Sequence, residues 1–369
     1  MNAGPVRHAY EQALEHVARA ASGDPADPSW RVTLHFHPDR LVDGVPILER
    51  MARDRVYRSQ FETGVSNGGL TAYPGGDRWR WESRMFGAAY DDGPPDSRPK
   101  YGSLNFRRRR VGASPRFGSA HLRLTAACLA RATFCYPDSV FGPGHFGIAA
   151  RVSSLVKLAE ADDKDPLDDY IEAHVHGPID ITADVEALVL DPCYRATSVE
   201  DGASRLGCPV EWHGGFAVTA DAFLANPAYR GPEVARLGAS LARGASPARS
   251  GALTARLIGD ASRAGRHEEQ ALKRVWHYVA RFGNPEMDGP ASPAALCLRA
   301  TGPASLWSWG PRARSTGPGG ARGYFGSGSG VEWRRLRHRQ DAGLERGRHG
   351  PFEIIGLICL GILGRGTQS

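Results

Sequence analysis

Two short runs of alternating character constrain this chain most. In Tyr170-Ile-Glu-Ala-His-Val-His-Gly177, Tyr170, Glu172, His174 and His176 fall on one face of an extended strand, and Ile171, Ala173 and Val175 on the other. Far upstream, Arg31-Val-Thr-Leu-His-Phe-His-Pro38 repeats the arrangement, with Val32, Leu34 and Phe36 alternating with Thr33, His35 and His37. Each run has an apolar back that a core can take. Each front carries imidazoles, and the second also an acid, where a wet strand face usually scatters Ser, Thr, Lys or Glu. Pro38 ends the first run and Gly177-Pro178 the second. The pattern predicts two half-buried strands whose solvent-facing ridges form a functional edge.

The elements between these runs set the fold class. Helical spacing predicts helices over Val6–Ala21, Gly44–Arg55, Val152–Glu160 and Glu268–Val279. Lys100–Phe106, Phe117–Leu124, Ala132–Tyr136 and Ala187–Leu190 read as strands, and Arg78–Ser83 alternates as a further strand or ledge. Thr182 is a good N-cap for one helical turn at Ala183–Glu186. The four-Arg run Arg107–Arg110 reads as solvated surface. Many strands with few, irregularly placed helices predict an α+β fold instead of a wound βαβ sheet.

At 369 residues the chain can bury a real core. Its organisation reads as an N-terminal helix and linker (1–30), one α+β domain of catalytic type (31–287) and a trailing segment (288–369). That last segment holds 17 Gly and no Lys, follows neither period and predicts disorder; its composition resembles a GC-rich gene read in a shifted frame. It also carries 11 Arg against 5 acids, which is the whole of the formal net charge of +6. The remaining chain is balanced, so global basicity gives no support to nucleic-acid binding by the domain. The six Cys form no CxxC pair and no signal peptide precedes them, which predicts reduced thiols in a cytoplasmic protein. Ile354–Leu363 is too short an apolar run to span a bilayer, and no membrane association is expected.

Three kinds of chemistry fit the two ridges. The H-x-H pairs His35/His37 and His174/His176 could form a four-imidazole metal site for a hydrolase. Alternatively, Glu172 alone could stabilise an oxocarbenium-like transition state at a ribose, as carboxylates do in glycoside chemistry. A catalytically silent binding module on the same fold is the third.

Resemblance favours the second. The ordered blocks Thr33-Leu-His-Phe-His-Pro-Asp39, Tyr57-Arg-Ser-Gln-Phe-Glu-Thr-Gly-Val-Ser-Asn-Gly-Gly69, Arg98–Asn105, Pro115–Leu124, Tyr170–Gly177 and Asp184–Pro192 resemble a bacterial family of unknown function. Glu172-Ala-His-Val-His-Gly-Pro-Ile179 followed by Asp184–Leu190 is similar to the late block of the ADP-ribosyltransferase superfamily, where a Glu opens a strand and a second hydrophobic strand returns. The resemblance implies a split mixed or antiparallel sheet with a few flanking helices, and NAD as substrate with no metal. By position, Glu172 matches the catalytic Glu and His35 the early-strand His that contacts NAD. His37 is next on that face, Ser59 and Tyr101 are candidates for the middle positions, and His174 is a supporting residue. The early motif departs from the family's His-Gly-Thr, and no Glu stands two residues before Glu172, so the acceptor of ADP-ribose stays open, protein or nucleic acid. The expected role is that of a toxin-like effector, with an antitoxin or immunity protein as possible partner.

Overall fold

The computed structural model describes residues 4–64, 71–244 and 251–288. Helix α1 (Gly4–Ala18) leads to strand β1 (Val32–Phe36), the small hairpin β2 (Leu41–Val42) and β3 (Val45–Pro46), and helices α2 (Ile47–Asp54), α3 (Gln60–Thr63) and α4 (Asp77–Met85). Four strands follow: β4 (Lys100–Leu104), β5 (Ala120–Leu124), β6 (Ala132–Tyr136) and β7 (His145–Ile148). Helix α5 (Ser153–Ala161) precedes β8 (Ile171–Val175) and β9 (Val185–Leu190), and α6 (Ser198–Ser204) precedes β10 (Val210–Trp212). The remainder is β11 (Ala217–Thr219), α7 (Ala220–Ala225), α8 (Pro232–Gly244), β12 (Ala252–Thr254), α9 (Ala255–Arg263) and α10 (Glu269–Phe282).

The fold is α+β, built on one large mixed sheet of eight strands in the order β10-β9-β5-β1-β4-β8-β6-β7. Every neighbouring pair is antiparallel except β10 with β9. The expected division into two half-sheets is not how these strands are arranged, since their hydrogen-bonded order is unbroken. Strand β9 also does not return beside β8, because β4, β1 and β5 lie between them. Among the described residues no helix is long and apolar enough to cross a membrane.

Both alternating strands form where the period places them, but their fronts are dry. All five residues of β1 and all five of β8 are buried. On the back, Leu34, Phe134, Ala173 and Val175 join the main core, where α5 supplies Leu155, Val156 and Ala159. On the front, Cys135 joins Ala13 and Val17 of α1, Trp81 and Met85 of α4, and Phe86 and Tyr90 in a second, smaller cluster. The predicted wet face is therefore a polar layer sealed under helices. Polar groups tolerate such burial when they satisfy one another, as Glu172, His174, His176 and Thr133 do, whereas Arg78 Nε and His121 Nδ1 find no partner.

Two further expectations are corrected. Arg78–Ser83 is not a strand but lies within α4, which buries Arg78, Trp81, Glu82 and Met85 at i, i+3, i+4 and i+7. The helical turn at Ala183–Glu186 is a plain turn: Asp180 Oδ1 accepts the amides of Thr182 and Ala183, and β9 already starts at Val185. The N-terminal helix, expected ahead of the domain, packs on β6, β7 and α4. The trailing segment lies outside the described residues beyond Asp288.

Candidate active site

Strand register brings the two ridges onto one face. Thr33 of β1 stands opposite Ser103 of β4, Ser103 opposite Glu172 of β8, and Glu172 opposite Cys135 of β6. One step along, Tyr101 pairs with His174 and His174 with Thr133. Adjacent strands lie about 4.8 Å apart, so β1 and β8 are roughly 10 Å from each other with β4 between.

Glu172 is the centre of the buried layer. Its Oε1 accepts from His174 Nε2 at 2.8 Å and faces Arg78 at 3.7 Å, while Oε2 accepts from the Ser139 hydroxyl at 2.9 Å and the Ser139 amide at 3.3 Å. Burial pushes the Glu172 carboxyl up, and Arg78 and Ser139 pull against it. Asp138 adjoins: its Oδ1 accepts from the Val140 amide at 2.7 Å and its Oδ2 from the Tyr170 hydroxyl. Burial, then the Glu172 charge, pushes Asp138 up to about 7. Two neighbouring carboxyls thus differ in role, one surrounded by donors and one that retains a proton near neutrality.

Arg78 closes the cluster from α4. It donates to Ser139 Oγ at 2.9 Å and its guanidinium lies 4.1 Å from the centre of the Tyr101 ring. Burial works against its charge, but Tyr101, Glu172 and Glu82 outweigh that and raise its pKa. Beside it, Glu82 accepts from Arg98 at 2.6 Å and from the Tyr101 hydroxyl at 2.8 Å, a buried ion pair with side chains almost wholly shielded.

A hydrogen-bonded chain runs from Tyr90 to Glu172. Tyr90 Oη lies 2.7 Å from His176 Nδ1, His176 Nε2 3.1 Å from Thr133 Oγ1, and Thr133 Oγ1 3.2 Å from His174 Nδ1. Burial drives His174 down to about 3 and His176 well below its ordinary range, so both rings are neutral. Each neutral ring then has one donor and one acceptor. With Glu172 ionised, the network assigns one direction: Tyr90 donates to His176, His176 to Thr133, Thr133 to His174, and His174 to Glu172. Both imidazoles of this strand are thereby placed and given tautomers by hydrogen bonding.

The other predicted residues fall into different surroundings. His35 lies on the same face but under another cover, with Nδ1 3.1 Å from Gly118 O and Nε2 accepting the Ser114 amide at 3.3 Å. Its ring centre is 5.0 Å from that of His121. His37 packs edge-on against Trp276 at 5.0 Å. Burial holds both near 3 and therefore neutral. The four-imidazole metal site is thus not assembled: His174 and His176 converge on Thr133, and His35 and His37 go elsewhere. Ser59 caps α3, accepting the Glu62 amide while the Glu62 side chain accepts the Ser59 amide, and it donates to Pro95 O at 2.8 Å. Tyr101 does reach the Glu172 cluster, but its ring is enclosed by Arg78, Trp81 and His174 and its hydroxyl is committed to Glu82. Sequence reasoning missed Arg78, Ser139, Asp138 and Thr133 altogether.

A different donor set does converge. One ligand atom each from Cys135, Glu172 and His174 lies within 4.8 Å of the others. These donors suit a soft or borderline divalent ion. The adjacent Arg78 charge and a Cys135 thiol pushed well above its ordinary range by burial, Glu172 and Asp138 both oppose a cation-bound thiolate.

Comparison with known proteins adds the family and no activity. No curated protein matches the chain. The chain matches, over residues 31–157 and 148–282, the family described as "Protein of unknown function (DUF3626)", and it belongs to that family.

Proposed function

We propose that the Glu172 cluster carries out chemistry at an N-glycosidic bond, with NAD as substrate and transfer of ADP-ribose to an acceptor as the reaction. The observation that carries this reading is the donor shell of Glu172: Arg78, the Ser139 hydroxyl and amide, and His174 fix one carboxylate in one orientation. A preorganised carboxylate is what stabilises an oxocarbenium-like ribose as nicotinamide departs. Asp138, in the ionised form it takes above about pH 7, would accept the proton that the acceptor loses, relayed through Ser139, whose Oγ lies 3.4 Å from it. An ADP-ribosyltransferase-like site is the reading that the Glu172 strand supports.

Glu172 is 5% exposed, so substrate entry requires the cover to part. The segment bearing Ser139 continues into Val140 and Phe141, which are half exposed on its outer side.

The test is nicotinamide release from NAD by the full chain, for wild type and Glu172→Gln, with thermal unfolding of both measured in parallel. A fall of about a hundredfold in the folded variant, the order seen when a transition-state charge contact is lost, is the expected result. No turnover by wild type, or equal turnover by the variant, overturns the proposal. A second reading is favoured by the convergence of Cys135, Glu172 and His174: a metal-assisted hydrolase, which a chelator silences and the first reading does not.

A further inference from the structure

A cavity of about 420 Å³ opens beyond the carboxyl end of β1. It is separate from the Glu172 cluster: about 10 Å of β1 beyond Thr33 and two strand spacings, about 10 Å more, lie between them. Its walls differ in chemistry. One is apolar, made by Leu41 of the small hairpin, Pro46, Leu48 and Val199. Leu41 is 54% exposed, which a cavity-lining leucine need not be once something covers it. The rest is charged, with Arg205 at the end of α6, Arg256 and Arg263 on α9, and the acids Asp39, Glu49 and Asp260.

The charges there are not equivalent. Arg263 is engaged, with Asp260 at 2.6 Å and with Asp39 at 3.3 Å. Gly259 leaves room for that carboxylate: a Cβ there would sit 1.8 Å from Asp39 Oδ2 and push it aside. Arg205 and Arg256, by contrast, make no ion pair and no side-chain hydrogen bond among the described residues. Tyr194 also lines the cavity. Its side chain is 1% exposed, with the hydroxyl beside Asp39 and Ser119. Two unpaired guanidiniums call for an anionic complement.

We propose that this cavity binds a small organic phosphate of about mononucleotide size. The volume falls within the range of small-molecule sites. Guanidinium forks match phosphate oxygens in geometry and charge. The apolar wall takes the organic body, so inorganic phosphate fills only the basic half. Arg263 answers Asp39 and Asp260, and Glu49 adds a further negative charge, which favours a monophosphate over a more highly charged polyphosphate.

The test is calorimetric titration of the full chain with adenosine monophosphate, inorganic phosphate and adenosine. Saturable binding of the monophosphate, weaker binding of phosphate and still weaker binding of adenosine are expected. Arg205→Gln and Arg256→Gln, both at accessible positions, should each weaken the monophosphate by about tenfold, with unchanged thermal unfolding. Glu172→Gln should leave binding untouched, which separates this site from the proposed reaction. Absence of saturable binding by both phosphates overturns the inference. So does adenosine binding as tightly as its monophosphate, or a double Arg variant that binds like wild type.

Discussion

Arg78 and Glu172 face each other at 3.7 Å with side chains only 3% and 6% exposed. An ion pair this deep is held by geometry and by its further hydrogen bonds, since desolvation of both charges offsets most of their attraction. Removing one partner leaves the other charged and buried. Arg78→Met should therefore cost about 3–5 kcal/mol of unfolding free energy in urea. The double variant Arg78→Met/Glu172→Gln should recover much of that loss. A single-variant cost below about 1 kcal/mol, the scale of a surface pair, would show that the pair is solvated in solution.

Asp138 gives a pH dependence of definite sign. Its folded pKa, about 7, lies above the ordinary carboxyl value of 3.8, so the folded chain keeps a proton that the unfolded chain releases. That contribution is complete below about pH 4 and is lost as pH rises to 7, about 4 kcal/mol at most. Asp138→Asn has no proton to lose and can still accept from the Val140 amide. Its stability relative to wild type should therefore improve between pH 5.5 and 8, by roughly 2 kcal/mol. A difference that stays constant across that range contradicts the assignment.

How far the sequence revealed this layer depends on which residue is asked. The strands of Thr33–His37 and Glu172–His176 follow from period two alone, and so does the sharing of a face within each strand. What alternation cannot report is whether that face meets water or a helix. Glu, His and Thr look solvent-directed until Trp81, Phe86 and Tyr90 are laid over them. Arg78-Trp-Arg-Trp-Glu-Ser83 fits either period over six residues, and only the packing of Trp81 and Met85 decides for a helix. Losing that helix hid Arg78, the main partner of Glu172. Ser59 is the opposite case. Ser59-Gln-Phe-Glu62 is a capping-box pattern legible from spacing, and the box is present in full.

Gly118 tests the second histidine ridge. Its carbonyl contacts His35 Nδ1, and a Cβ there would lie 2.1 Å from the backbone carbon of Phe36 in β1. Backbone cannot swing aside as a side chain can, so β1 must shift. Gly118→Ala should cost about 3 kcal/mol or more and lower the thermal midpoint. Gly144→Ala, with nothing within 4 Å, should change stability by no more than about 0.5 kcal/mol. Equal behaviour of the two variants would rule out the tight contact between Gly118 and β1.

Six imidazoles set the behaviour in acid. His35, His37 and His174 are depressed to about 3 and His277 to about 2, and His121 and His176 lie well below the ordinary value, burial being the main cause in each. Their ordinary value is 6.5, so below that pH the unfolded chain takes up protons that the folded chain refuses. The stability they contribute is complete above about pH 6.5 and is lost as pH falls. Each accounts for about 1.4 kcal/mol per pH unit, and the carboxyls that burial raises (Asp138, Glu172, Glu82, Asp39 and Asp169) offset part of it. The net effect of the six should lower the stability of the domain as pH falls below 6.5. Urea midpoints measured from pH 7.5 to 4.5 give the proton uptake on unfolding directly as a slope. A net uptake near pH 5.5 is expected to grow when Asp138→Asn removes one opposing proton, and no such growth would contradict the balance of depressed imidazoles and raised carboxyls.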